Sequence, residues 1–155
     1  MASKPFDAVE IVQSITNETD EDVQRVAFAI LQAVITGTPV GDPTLWQSHP
    51  NTPPGYVGGH ARRNWIVSLG ESVDNINGTP GRGGGAAGSK SEAESNGKRV
   101  IPQYDVNRRR LIIQNNVPYI VPLNSGHSTQ APANFVEAAV MVGNNVGRNE
   151  RKDLP

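Results

Sequence analysis

The chain contains no cysteine, which excludes disulfides, thiolate metal sites and cysteine nucleophiles. Aromatic residues make up 5% and apolar residues 36% of its 155 positions, so the core is small and short of large rings. No apolar run approaches the ~20 residues that a membrane-spanning helix needs. The opening MASKPFDAVE lacks the apolar stretch of a signal peptide, and the expectation is a protein made in a cytoplasm, with no membrane partner. The triplets beginning at Asn17 and Asn77 match the glycosylation pattern, but without secretion they carry no meaning. A net charge of -1 removes the overall signature of a nucleic-acid binder. Histidine is scarce as well. His49, His60 and His127 form neither HxxxH nor HxH, so no metal is expected.

Glycine (16) and proline (12) are plentiful instead. A chain of this length fits one domain, 1–155, which buries roughly two-thirds of its unfolded surface. The glycine and proline content points to long irregular connections around a compact core at 20–142. Charge is unevenly spread. Residues 1–60 hold two Lys/Arg against seven Asp/Glu, a net of -5, and residues 61–155 hold twelve against eight, a net of +4. An acidic end and a basic end would suit head-to-tail assembly, although ordinary surface variation gives the same count.

Hydrophobic spacing supplies the elements. Residues 5–17 read as a short helix, with Phe6, Val9 and Val12 or Gln13 on one side. In TDEDVQRVAFAILQAVITG, Val23, Val26, Ala27, Ile30, Leu31, Val34 and Ile35 form one stripe of a 3.6-period helix. Thr19 or Asp20 is its cap, Glu21 and Asp22 face the positive end of its dipole, and Gly37 stops it before Thr38-Pro39. From Thr38 to Arg62, prolines and glycines exclude helix and central strand. The same stretch holds Leu45, Trp46, Tyr56 and Val57, and therefore reads as an ordered loop packing through its aromatics.

NWIVSLG alternates as a half-buried strand with Trp65, Val67 and Leu69 on one face. Residues 78–97 are Gly/Ser-rich, expected to be flexible unless a partner orders them, and a weak helix at best. RLIIQN reads as a second strand ending in an Asn115-Asn116 turn of left-handed geometry. YIVPL reads as a third short strand, with Pro118 and Pro122 holding Tyr119 in extended backbone. NFVEAAVMV, with Phe135, Ala138, Ala139 and Val142 at helical spacing, reads as a final helix. A polar tail, 143–155, frays or docks on a neighbour.

Three chemical readings fail on these residues. His127 between Ser125 and Ser128 has the residue types of a nucleophile and base, but adjacent positions rarely face each other, and no GxSxG elbow is present. A small hydrolase using His127 and Ser128 is therefore only a remote alternative. GGGAAGSKS places Gly83 and Gly88 at phosphate-loop spacing, but Ser89 displaces Lys90, and no strong helix is expected to follow. The basic groups Arg62-Arg63, Lys98-Arg99, Arg108 to Arg110 and Arg148 to Lys152 lack interleaved aromatics, so a DNA-binding accessory role is also remote.

Two stretches together resemble the signatures of tailed-phage neck and tail-completion proteins, the family that includes the lambda-type minor tail protein Z. The first is Thr38-Pro39-Val40, Gly58 to Arg63 (with Arg62), and Asn64-Trp65. The second is Asn115-Asn116, Pro118-Tyr119, Leu123, Gly126, Ser128 and Gln130-Ala131-Pro132. The order and spacing hold over about 20 to 142. The glycine-rich 78–97 stretch departs from relatives that tend to be more helical there.

The resemblance implies an α+β fold. An antiparallel sheet packs against a long helix in the N-terminal half and a C-terminal helix, with long Pro/Gly-rich loops. It implies a non-enzymatic virion protein, without cofactor, that forms a homohexameric ring at the head-tail interface. Such a protein acts as tail terminator or tail-completion protein, with head-closure adaptor as the alternative. Its partners would be connector and tail proteins, with non-specific contact to genome DNA in the lumen. The interface candidates are Thr38, Pro39, Trp46, Tyr56, Arg62, Arg63, Asn64, Trp65, Asn116, Pro118, Tyr119, Gly126, Ser128, Gln130 and Pro132. In this reading Gly126 permits a turn and Pro132 sets the entry to the last helix.

Overall fold

The computed structural model describes residues 9–11, 19–41, 54–105, 107, 110–126 and 133–152, the first two and last five of these through their backbone alone. The elements are β1 (Val9–Ile11), α1 (Asp20–Gly37), α2 (His60–Arg63), β2 (Ile66–Leu69), α3 (Gly85–Val100), β3 (Leu111–Asn115), α4 (Ile120–Asn124) and α5 (Phe135–Lys152), with a 3-10 turn at Ile101–Gln103. The fold is α+β. The sheet is antiparallel in the order β1-β3-β2, with Ile11 opposite Ile113 and Val67 opposite Ile113 on the other side.

Helix α1 forms as its stripe and caps require. The Thr19 hydroxyl accepts from the Asp22 N–H at 3.2 Å, and the Asp22 carboxylate accepts from the Thr19 N–H at 3.3 Å, a reciprocal capping box. Val26, Ala27, Ile30, Leu31, Val34 and Ile35 are buried. They join Trp65, Val67, Ile113, Phe135 and Ala139 in one core. Helix α5 runs antiparallel to α1: a Cβ on Gly37 would touch Phe135, and one on Gly143 would overlap Ile30. The absence of a side chain at Gly143 lets the two helices lie close.

Several expectations are corrected. The segment around Val9 is a strand, not part of a helix. Val9 and Ile11 alternate around Glu10 with period two, and β3 offers them an open edge. YIVPL is not a strand. Ile120–Asn124 is a short helix, and Pro122 sits in its first turn, where a missing N–H leaves no hydrogen bond unmade. Tyr119, at φ -95 and ψ 7, is therefore not extended.

Asn115 and Asn116 do not take left-handed geometry, since Asn134 is the positive-φ residue other than glycine among the described residues. Both are buried. Residues 85–100 are a full helix, not a flexible insertion. Ser89, Ala93 and Gly97 recur every four residues and form its buried stripe. A Cβ on Gly97 would overlap Leu31, so the small residues admit α1 at close range. The polar tail continues α5 as helix to Lys152. Strand β2 is more than half-buried: Ile66 on its second face is only 7% exposed, as the segment after Gly70 lies over that face.

Candidate functional site

The two resemblance-bearing stretches meet at α2, a four-residue helix between a left-handed Gly59 at φ 105 and Asn64. Thr38, at the C-terminus of α1, is fully buried. Its hydroxyl donates to the Val34 carbonyl and accepts from Trp65 Nε1–H at 2.7 Å. Its carbonyl accepts from Arg62 Nε and Nη2 at 3.0 and 2.9 Å. Helix α1 has no basic residue in its last turn. Arg62 therefore brings a cation from outside to the negative end of the helix.

The second stretch reaches the same place through amides. Asn115 Nδ2 donates to the Ala61 carbonyl at 2.8 Å. Asn64 Nδ2 donates to His60 O at 2.7 Å and Asn77 O at 3.0 Å, while Asn64 Oδ1 accepts from Asn77 N–H at 2.6 Å. Asn116 Nδ2 donates to Val73 O and Asn75 O, each at 3.0 Å. Gln114 accepts from Val73 N–H at 2.8 Å and donates to Val73 O at 2.6 Å. Gln114, Asn115, Asn116 and Asn64 are at most 1% exposed, a burial that polar groups tolerate only when hydrogen-bonded.

The glycine-rich segment docks here as well. Val57 N–H donates to Gly81 O, Gly83 N–H to Val57 O and Gly85 N–H to Gly58 O, at 2.7, 3.0 and 2.8 Å. A Cβ on Gly83 would overlap the His60 backbone, and one on Gly58 the Gly41 backbone. Glycine is thus required by backbone-to-backbone approach. What orders 78–97 is the chain itself: residues 57 and 58 hold 81–85, and Gly97 packs on Leu31 of α1.

Arg63 Nη2 pairs with Glu92 at 2.8 Å and Nη1 donates to Arg82 O at 3.2 Å, tying α2 to α3. Burial, then the nearby Arg63, holds the His60 pKa below its ordinary value, so His60 is neutral at pH 7. Its ring lies 6.5 Å from that of Tyr119. Burial, then Tyr56, pushes the Tyr119 phenol up to about 12. Burial also raises the Tyr56 phenol. Both phenols therefore keep their protons at pH 7.

Pro118 is exposed at the edge of this junction, Tyr119 is 42% exposed as a whole residue although its phenol is shielded, and Pro39 is half-buried. Gly126 has the expected positive φ, 91. Asn124 begins α5 from outside, its Oδ1 accepting from Val136 N–H at 2.9 Å. Trp46, His49, His127, Ser128, Gln130 and Pro132 lie outside the described residues. Helix α3 does follow the glycine run, against expectation, but Lys90 faces Glu94 at 3.7 Å. Among the described residues no three His, Asp or Glu gather as a metal site, and no helix is long and apolar enough to cross a membrane. The Ser89 hydroxyl bonds back to Gly85 O rather than to a base.

The arrangement therefore positions backbone. Sequence reading passed over Gln114, Asn77 and Asn96. Asn96 Oδ1 accepts from Val67 N–H at 2.6 Å and so covers the outer edge of β2. The available signal was a polar run, Gln114 to Asn116, inside a strand pattern. No family model, curated protein or solved structure matches the chain.

Proposed function

We propose that this chain is a structural virion protein of a tailed bacteriophage. In this reading it forms a hexameric ring at the head-tail interface, ends or completes the tail, and joins it to the connector. It acts without enzymatic chemistry, and its basic side chains meet genome DNA in the lumen through charge alone. The observation carrying the proposal is the convergence of the two resemblance-bearing stretches on α2. Thr38, Arg62, Asn64 and Trp65 from one, and Asn115 and Asn116 from the other, direct their polar groups inward, Trp65 to the Thr38 hydroxyl and the others to main chain. Residues that such a family would share because they build one junction explain that pattern. A catalytic site would instead aim a nucleophile and base at open space.

Native mass spectrometry of the purified chain, alone and with isolated tail tubes, tests the proposal. A hexamer, or a monomer that assembles on tubes, supports it. A monomer that stays monomeric with tubes present refutes it. Repeating the mixture with connectors separates a terminator, which binds tubes, from an adaptor, which binds connectors first.

A further inference from the structure

The segment after β2, residues 71–77, is fixed in an unusual way. It makes no strand with the sheet, yet its main chain is pinned at alternate residues. Gln114 contacts both N–H and C=O of Val73, Asn116 the carbonyls of Val73 and Asn75, and Asn64 both N–H and C=O of Asn77. A side-chain amide has one donor face and one acceptor face. Gripping both polar groups of one residue, it reproduces the two bonds of a hydrogen-bonded pair in an antiparallel sheet. Pinning at 73, 75 and 77 is the period-two spacing of extended chain. The polar main-chain groups of Asp74 and Ile76 therefore turn away from the sheet.

Among the described residues, neither Asp74 nor Ile76 has a hydrogen-bond or ion-pair partner. Ile76 is 42% exposed and contributes nothing to the core. Three almost fully buried amides thus hold rigid a segment whose outer side offers a short ladder of donors and acceptors, one carboxylate and one isoleucine. Residues 71–77 contain Glu71 and Asp74 and no Lys or Arg. Arg110 bonds the Gly70 carbonyl rather than Glu71, so among the described residues neither carboxylate has an ion-pair partner, and Asp74 is the one within the pinned stretch.

We propose that residues 73–77 are a docking edge for an extended, basic segment of a partner protein. The partner strand adds by main-chain pairing to Asp74 and Ile76, sets a Lys or Arg against Asp74, and packs an apolar side chain on Ile76. Rigid pinning means that binding loses little chain entropy on this side. The proposal stands apart from the ring reading, since a monomeric chain would present the same edge.

The probe is an acetylated, amidated hexapeptide alternating Val and Lys, with the Val and Glu version as control. It is titrated into the full ¹⁵N-labelled chain and followed by amide shifts and hydrogen exchange. The Lys peptide is expected to shift and slow exchange of the Asp74 and Ile76 amides, more weakly at higher salt, while the Glu peptide does neither. Asp74→Asn should weaken binding about two- to five-fold, as an exposed ion pair allows. Ile76→Pro, which removes the donor, should weaken it at least about ten-fold. Ile76→Ser serves as a second variant that keeps the N–H and adds no charge but loses the apolar contact, and both circular dichroism and melting should match the parent chain. Equal binding of the two peptides, or shifts confined to residues outside 71–78, would overturn the proposal. So would unchanged affinity in a folded Ile76 variant.

Discussion

The glycine run from Gly81 to Gly88 gives opposite answers to the same substitution five residues apart. Neither Gly83 nor Gly88 has a positive φ, so an alanine is acceptable to the backbone at both. At Gly88, inside α3, a Cβ meets nothing within 4 Å. Gly88→Ala should therefore stabilise by the helix-propensity difference, about 0.5–1 kcal/mol. For a domain of this size that is a rise of about 1–4 °C in melting temperature.

At Gly83 the same Cβ would overlap His60 N and the Gly58-Gly59 main chain, atoms that no rotamer change can move. Relief requires 79–85 to part from 55–60, and with it go the three bonds Val57–Gly81, Gly83–Val57 and Gly85–Gly58. At ~0.5–1.5 kcal/mol each, the loss is about 1.5–4.5 kcal/mol, or a melting temperature lowered by about 3 °C or more. Thermal melts followed by circular dichroism, on both variants at equal concentration, read the two signs directly. A Gly83→Ala protein that melts at or above the parent would refute the backbone-docking account. A lowered Gly88→Ala would refute the exposed-helix account of α3.

Thr38→Val keeps the shape but leaves the buried Trp65 N–H without its acceptor, and should lose about 1–3 kcal/mol in urea denaturation; Thr38→Ser should recover most of it. Thr19→Ala removes the hydroxyl that accepts the Asp22 N–H and should lose about 1 kcal/mol by the same measurement. His60 is held below its unfolded pKa by burial and by Arg63. The unfolded chain thus binds the proton more readily, and the stabilisation present above about pH 6.5 should fall away as pH drops through the folded value. Denaturation midpoints measured from pH 8 to pH 5 should decline, and His60→Phe should flatten that decline; an unchanged slope in a folded His60→Phe protein would exclude this source.

Legibility followed the range of the interactions. Helix α1, its cap at Thr19 and its stop after Gly37 were readable because stripe, capping box and terminator are all local. Strands β2 and β3 and the start of α5 were readable for the same reason. The failures share a cause. Residues 85–100 carry little apolar surface, and their helix depends on small buried residues, with Gly97 against Leu31 of α1 and Ser89 against Gly59 before α2, which no local propensity registers. Val9–Ile11 is a strand because β3 lies beside it. Ile120–Asn124 is the exception: its prolines, Pro118 before the helix and Pro122 in its first turn, fit a helix start as well as a strand edge, so the local pattern did not choose.

The candidate junction divides the same way. The sequence by itself determined that the chain has no thiol chemistry, one strongly amphipathic helix and two motif-rich stretches. Composition and period are local properties, and these conclusions follow from them. Only the tertiary structure decided that Asn115 reaches Ala61, that Gln114, Asn116 and Asn64 grip residues 73–77, and that Gly83 lies on the His60 backbone. An amide side chain has no preferred partner until burial removes water as the competitor. What Asn and Gln do in this protein is therefore set by which backbone the fold brings within 3 Å of them.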